Sequence, residues 1–479
     1  MLTLIGILII VTIVALLMMG KLNPIIAMSC IPVVGFFIAV ALMPEIAMVE
    51  LNKDILTDQH TREQALAALA EASWQDVISN SFKHLANYVN WGIVKVASVA
   101  SMFLFAILFF SIMKDLHIFD PLIRRLVSIT RGNVIVVCMI TALVAAVVHL
   151  DGSGAATFLI IIPALLPLYK RLGMSPYLML LIMCISMGVM NMVPWGGPLG
   201  RASSVTNLEV SDLWRPLILV QVLGILGSVA FAAVMGVREK RRIVAAAAKG
   251  TTPYQMDSLL KDELDITKDE SSSEVKKPVR PLLNSSLIVG AIICLAFGLL
   301  PATLVFMIVL SLALLFNYST PKEQMQIVSK HAPQAISMVA IILAAGIFLG
   351  VLDRSGMLKA TALNLTYILP DFLVSKLHVV VGILGVPLDL FTSTDAYYYG
   401  LLPIVQNVTV TAGVNSASVV HAMAIGNNAG TFVSPFSPAA WLAMGLAGTD
   451  MGKHLRYSFG WIWLFSFFTL GIGAVMGLY

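Results

Sequence analysis

Charge is what this chain has least of: 12% of its 479 residues are Asp, Glu, Lys or Arg, against 58% hydrophobic, with a mean hydropathy of +0.91. A soluble domain carries about twice that share of charge, so a soluble fold is excluded and an all-α polytopic membrane protein is expected. Cysteine is scarce as well. Cys30, Cys138, Cys184 and Cys294 stand singly in apolar runs without CxxC spacing, which argues against a disulfide framework or a zinc site. There is no HExxH and no evident nucleophile–base set, so no enzymatic chemistry is expected. The first residues, MLTLIGILIIVTIVALLMMGK, have neither a basic leader nor a small-residue cleavage site and read as a retained span. Net charge is +4, and nothing in its distribution calls for nucleic acid.

Apolar runs are abundant. Spans are expected at 2–20, 22–43, 92–113, 175–205, 214–236, 283–300, 301–317, 332–352, 417–447 and 456–478, each near the roughly 20 residues that cross a bilayer. Two further apolar pairs occupy 132–170 and 377–411. The segment from Arg238 to Pro281 carries ten Lys and Arg residues and a Ser-rich acidic stretch, so it reads as a cytoplasmic linker (238–282) between a first unit, 1–237, and a second, 283–479. With that linker inside, the basic clusters at Lys21, Arg124–Arg125, Lys170–Arg171, Lys322, Lys330 and Lys453 also fall inside. Both termini are then external.

An offset of 238 residues carries Asp151 onto Asp389 and Asp115 onto Asp353, as expected of a unit written twice. Each unit then has five crossings plus one apolar pair returning to its starting side, and an odd number of crossings inverts the second unit. The first pair turns at Asp151-Gly-Ser-Gly154 and the second at Leu390-Phe-Thr-Ser-Thr-Asp395. Parity does not distinguish full crossings from a re-entrant hairpin; the small and polar turns favour the hairpin, because irregular backbone at membrane depth is tolerated where it lines a wet cavity. About forty residues after each turn an apolar segment is broken, at Asn191-Met-Val-Pro-Trp-Gly-Gly-Pro198 and at Asn427 to Pro438. Pro removes a donor and Gly lets the chain leave the helix, so 175–205 and 417–447 are read as discontinuous helices. Their freed carbonyls suit cations and their half-helix N-termini suit carboxylates. Two turns and two breaks meeting at one midplane site describe a secondary transporter.

The stretches LDGSGAATFLI, LPLYKRLGMSP, NMVPWGGPLGRASS and TDAYYYGLLPI closely resemble the CitMHS family of citrate–metal–proton symporters, within the ion transporter superfamily. The resemblance runs from about Phe110 to Pro438. It implies a two-repeat fold with a scaffold and a mobile transport part, uptake of citrate complexed with a divalent metal, coupling to protons, a bacterial inner membrane location and, by superfamily habit, a homodimer. Family members typically read LDGDGSTT where this chain reads LDGSGAAT. Ser153 therefore stands for an acid and Ala155-Ala156 for hydroxyl residues, which bears on metal choice, coupling and the carboxylate carried.

Arg201 is the one strong base expected near the midplane, and its planar fork suits a carboxylate; the competing reading has it snorkel to headgroups. Asp151, Asp389 and Asp395 outnumber it, so a free tricarboxylate meets repulsion that a proton or a co-bound Mg²⁺ or Ca²⁺ removes. These aspartates are the expected proton or cation sites, with Asp151 and Asp395 also touching a metal carried by citrate; Asp389 has a backbone-capping alternative. Substrate contacts are expected from Ser153, Gly154, Asn191, Gly196, Gly197, Thr392, Ser393, Thr394, Asn427, Asn428, Ser434 and Ser437, though Ser and Thr also commonly cap backbone. No permanently bound cofactor is expected. Trp195, Tyr397, Tyr398 and Tyr399 read as packing, His149 and His421 as hydrogen-bonded structural histidines, and Asp115 and Asp353 as parts of short interfacial helices. Sodium-coupled di- or tricarboxylate transport is the closest rival reading, and an anion channel a more distant one.

Overall fold

The computed structural model describes residues 1–18, 21–49, 59–118, 121, 125, 130, 132–248, 279–368, 370–389, 394–435 and 437–479. Among them there is no strand, and seven helices are long and apolar enough to cross a membrane. In the first unit α1 (Leu2–Met18), α2 (Pro24–Leu42), α3 (Gln59–Glu71) and α4 (Trp74–Asp115) precede a paired α5 (Val134–Val148) and α6 (Gly154–Arg171). An interrupted helix follows, α7 (Pro176–Met190) and α8 (Gly197–Thr206), then the short α9 (Val210–Trp214) and the closing α10 (Leu217–Ala248). In the second unit α11 (Pro281–Ala296), α12 (Ala302–Asn317), α13 (Pro321–Arg354) and α14 (Met357–Ile368) lead into α15 (Asp371–Ile383) and α16 (Gly385–Asp389). A π-helical turn (Ala396–Leu401) runs into α17 (Leu402–Thr411), followed by an interrupted pair, α18 (Ser416–Asn427) and α19 (Pro438–Ala447), and the closing α20 (Met451–Val475). Both expected interruptions are present.

The spans expected at 92–113 and 332–352 are parts of much longer helices. Both begin on capping boxes. Ser73 Oγ accepts from the Asp76 amide while the Asp76 carboxylate accepts from the Ser73 amide, and Thr320 and Glu323 do the same, satisfying orphan donors at each start. With 42 residues α4 is about 63 Å long at 1.5 Å per residue, so it overshoots the hydrocarbon. Asp115 and Asp353 sit in the last turns of these two helices, because each helix runs on about two residues past the expected span, and not on the separate short interfacial helices the sequence suggests. The far arm after Asp115 lies largely outside the described residues.

Helices α4 and α13 run antiparallel. At one end Asp115 takes Lys330 Nζ and His331 Nε2, the latter at 2.9 Å. At the other the backbones touch: a Cβ on Gly92 would overlap the Gly346 carbonyl, and one on Gly350 would overlap the Tyr88 carbonyl. Gly346 and Gly350 are one helical turn apart, the small-xxx-small spacing that lets membrane helices approach closely.

Hairpin and broken helix are clasped across the two units. The second arm of the first hairpin, α6, lies along α19, where a Cβ on Gly154 would come within 2.7 Å of Phe432. The π turn and α17 of the second hairpin lie against α8. Near the interruptions, α7 meets the turn that follows α18, where Gly188 abuts Ala429.

Candidate functional site

Four irregular segments converge in the interior. At the first hairpin turn Gly152 takes φ +70°, a left-handed conformation that favours Gly, and its Cα faces the Trp195 carbonyl. Asp151 Oδ1 accepts from the Ser153 amide at 2.8 Å, and Ser153 caps α6 through the Ala156 amide at 3.4 Å. Both side chains thus hold the turn, a local use that Asp and Ser readily serve. His149 Nδ1 lies 3.0 Å from Thr157 Oγ1, which donates to the Ser153 carbonyl. The Trp195 indole donates to the Leu150 carbonyl at 2.6 Å and stacks on Phe110 of α4, ring centroids 5.1 Å apart. Trp195 therefore joins the first break, the first hairpin and the long helix.

At the first break, Gly196 leaves no room for a side chain, since a Cβ would overlap the Asn191 carbonyl. One turn into α8, Arg201 Nε donates to Asp395 Oδ1 at 2.7 Å, with the two side chains 14% and 17% exposed. Asp395 belongs to the second hairpin, so this charge-assisted bond joins the break of one unit to the turn of the other. A Cβ on Gly197 would overlap Arg201 Nη1; that glycine makes space for the guanidinium.

Asp389 is fully buried. Neither of its carboxylate oxygens has a hydrogen bond among the described residues, although the Asn427 side chain is close by. Its backbone carbonyl accepts from Ser434 Oγ at 2.6 Å, and a Cβ on Gly430 would crowd its carboxylate. Asn427 Nδ2 donates to the Gly385 carbonyl at 3.1 Å. Thr394 Oγ1 donates to Thr431 Oγ1 at 3.1 Å, again tying the second hairpin to the second break. The result is a polar centre in which Asp395 and Asp389 lie within electrostatic reach of one guanidinium, Arg201, among amides and hydroxyls, while Asp151 holds the first turn.

The citrate transporter family model, CitMHS, matches residues 11–426. The chain belongs to that family. A Bacillus subtilis citrate transporter is 34% identical over 385 residues, spanning 80% of this chain and 87% of the relative. The Mg²⁺/citrate complex secondary transporter of the same organism is 31% identical over 396 residues, spanning 83% and 89%. The fold is similar to the crystal structure of the Alcanivorax borkumensis YdaH transporter, with a TM-score of 0.52 at 14% identity over 93% of this chain and 98% of that one. The protein is thus an integral membrane transporter and not an enzyme.

Within this citrate transporter family member, the residues singled out in the sequence have several fates. Arg201 and Asp395 pair directly, while Asp151, Ser153 and Gly154 shape the first turn. Asp389, Asn427 and Ser434 form one group, and Asn191 is buried at the break. Asn428 points elsewhere, its Nδ2 lying 3.4 Å from Thr469 Oγ1 of α20. Ser437 stands at the N-cap of α19 without a side-chain cap bond. Thr392 and Ser393 lie outside the described residues. His421 bonds the Leu213 carbonyl at 2.9 Å, and Tyr397 donates to the Val381 and Met423 carbonyls. Thr431 is a contact the sequence did not disclose, since its partner Thr394 is 37 residues away.

The two break glycines separate folding from binding. Gly197→Ala is expected to fold normally and weaken citrate binding, because the atom it displaces is the end of a flexible side chain. Gly196→Ala meets backbone and is expected to cost about 1–3 kcal/mol of stability. Thermal melting and citrate titration of the purified variants read the two effects separately.

Proposed function

We propose that this chain imports citrate as a complex with a divalent metal such as Mg²⁺ or Ca²⁺, by proton symport with alternating access. The observation that carries the reading is the Arg201–Asp395 pair between the first break and the second hairpin. Arg201 would hold a substrate carboxylate, and Asp151, Asp389 and Asp395 would load protons or face the metal side of the complex. With Asp395 and Asp389 both near the one base, the site is a poor host for a free tricarboxylate and a better one for a complex whose charge is already reduced. Among the described residues no three His, Cys, Asp or Glu side chains gather into a metal cage, whereas citrate brings oxygen ligands suited to a hard cation. A relative named for carrying a Mg²⁺/citrate complex supports the same cargo.

Alternating access fits two inverted units, 1–237 and 283–479, with the 238–282 linker cytoplasmic and both termini external. The antiparallel course of α4 and α13 supports the inversion. In this reading the two hairpins and broken helices travel together, and the α4–α13 pair serves as the frame.

Uptake of labelled citrate into proteoliposomes is the test. It should rise with added Mg²⁺ or Ca²⁺, collapse with EDTA and follow an imposed proton gradient. Uptake indifferent to EDTA and driven only by sodium would instead establish the sodium-coupled alternative.

A further inference from the structure

The π-helical turn Ala396–Leu401 places three consecutive tyrosines in the protein interior, each no more than 1% exposed. Their hydroxyls have different surroundings. Tyr397 donates to two backbone carbonyls, at 3.3 and 3.4 Å. The hydroxyls of Tyr398 and Tyr399 are buried with no hydrogen-bond partner among the described residues. Burying a donor unpaired costs about 1–3 kcal/mol, and Phe would fill the same space without that cost.

What lies beside these two phenols points to a ligand. The π turn lies on α8, and both rings are within electrostatic reach of the Arg201 guanidinium. Among the described residues Asp395 engages only Nε of that guanidinium, leaving Nη1 and Nη2 as unused donors. Ser204 Oγ is next to Tyr399; it gives its own proton to the Arg201 carbonyl at 2.7 Å and falls short of a hydrogen bond with the phenol. π turns inside α-helices recur at functional sites, and this one presents O–H donors where the fork has N–H donors to spare.

We infer that Tyr398 and Tyr399, with the terminal nitrogens of Arg201, form a carboxylate-binding subsite, the two phenols donating to the oxygens of the group that the fork holds. The subsite rests on the carboxylate-transport reading above. Asp395 then has a distinct part: by occupying Nε it orients the fork and leaves its far edge to the substrate. Tyr397 belongs to the scaffolding of the turn, which makes it an internal control of the same size and chemistry.

The experiment is isothermal titration of the purified full-length protein with Mg²⁺–citrate, then with succinate and malate, alongside thermal melting. Tyr398→Phe and Tyr399→Phe should each weaken binding about tenfold or more, the range for a lost hydrogen bond to a charged group, with melting unchanged or raised. Tyr397→Phe should lower the melting temperature and leave affinity in place. Wild-type affinity in both Tyr398→Phe and Tyr399→Phe overturns the subsite while leaving the transport reading intact. Binding of another di- or tricarboxylate in place of citrate changes the cargo, and the same three variants then test the subsite with that acid. No carboxylate bound by the wild type overturns both.

Discussion

Arg201→Gln is expected to reduce citrate uptake about a hundredfold or more, and Asp395→Asn to do nearly the same. Truncating one partner of a buried, hydrogen-bonded charge pair costs about 2–5 kcal/mol, and every 1.4 kcal/mol is about tenfold. Part of that cost is the charge left behind: Asp395 without Arg201 is a largely enclosed anion, 17% exposed, that has lost its partner. The double variant Arg201→Gln/Asp395→Asn removes both charges, and replacing a buried pair outright is often near neutral for stability. Its melting temperature should therefore recover toward wild type while its uptake stays lost. Arg201→Lys keeps the charge but not the fork and should retain the fold with much weaker binding. Transport at wild-type rates in Arg201→Gln would remove the arginine from the substrate path, whatever its effect on melting.

The second large effect is expected where α4 crosses α13. Gly92→Val drives a branched side chain into the Gly346 carbonyl, and two long helices cannot yield locally without losing contact along their length. Overpacking typically costs about 1–3 kcal/mol and more where backbone is struck; here the expected outcome is no monodisperse protein on size exclusion. Gly290→Ala and Gly471→Ala, where a Cβ would meet nothing within 4 Å, should behave as wild type. A monodisperse Gly92→Val with normal melting would show that the crossing has slack.

Much of this architecture was legible because its signals are local. Pro and Gly punctuate the breaks after Asn191 and Asn427, the polar turn at Asp151 to Gly154 separates two apolar arms, and the basic segment from Arg238 divides the chain. Each is a run of neighbours in sequence. The full length of α4 was hidden because its first turns are polar and carry no hydropathy signal, although Ser73-Trp-Gln-Asp76 is a capping signature. The Gly346-xxx-Gly350 spacing was also in plain view, but its partner Gly92 was not, since nothing local says which helix will cross. Arg201 and Asp395 could each be named as functional; their pairing joins residues 194 apart and had no sequence trace. The sequence reads all three tyrosines as packing, and all three are buried; Tyr397 bonds backbone carbonyls, whereas the hydroxyls of Tyr398 and Tyr399 are the ones the proposed subsite uses. Three identical residues in a row cannot all face one side of a helix, and that was the available hint that their roles divide.

The clasp of each hairpin on the other unit's broken helix also sets an order of events during biosynthesis. At roughly 5–20 residues per second, Gly92 and Arg201 leave the ribosome on the order of ten seconds or more before Gly346 and Asp395. Throughout that interval the nascent first unit holds an uncompensated guanidinium and, at Gly92, a bare stretch of helix backbone with nothing to seat against it. A ribosome that stalled in the linker would leave in the membrane a half-molecule unable to close its own centre. The same geometry makes a remedy available: two separately translated halves, severed between Ala248 and Pro281, outside the helices on either side, carry complementary edges by which to find one another.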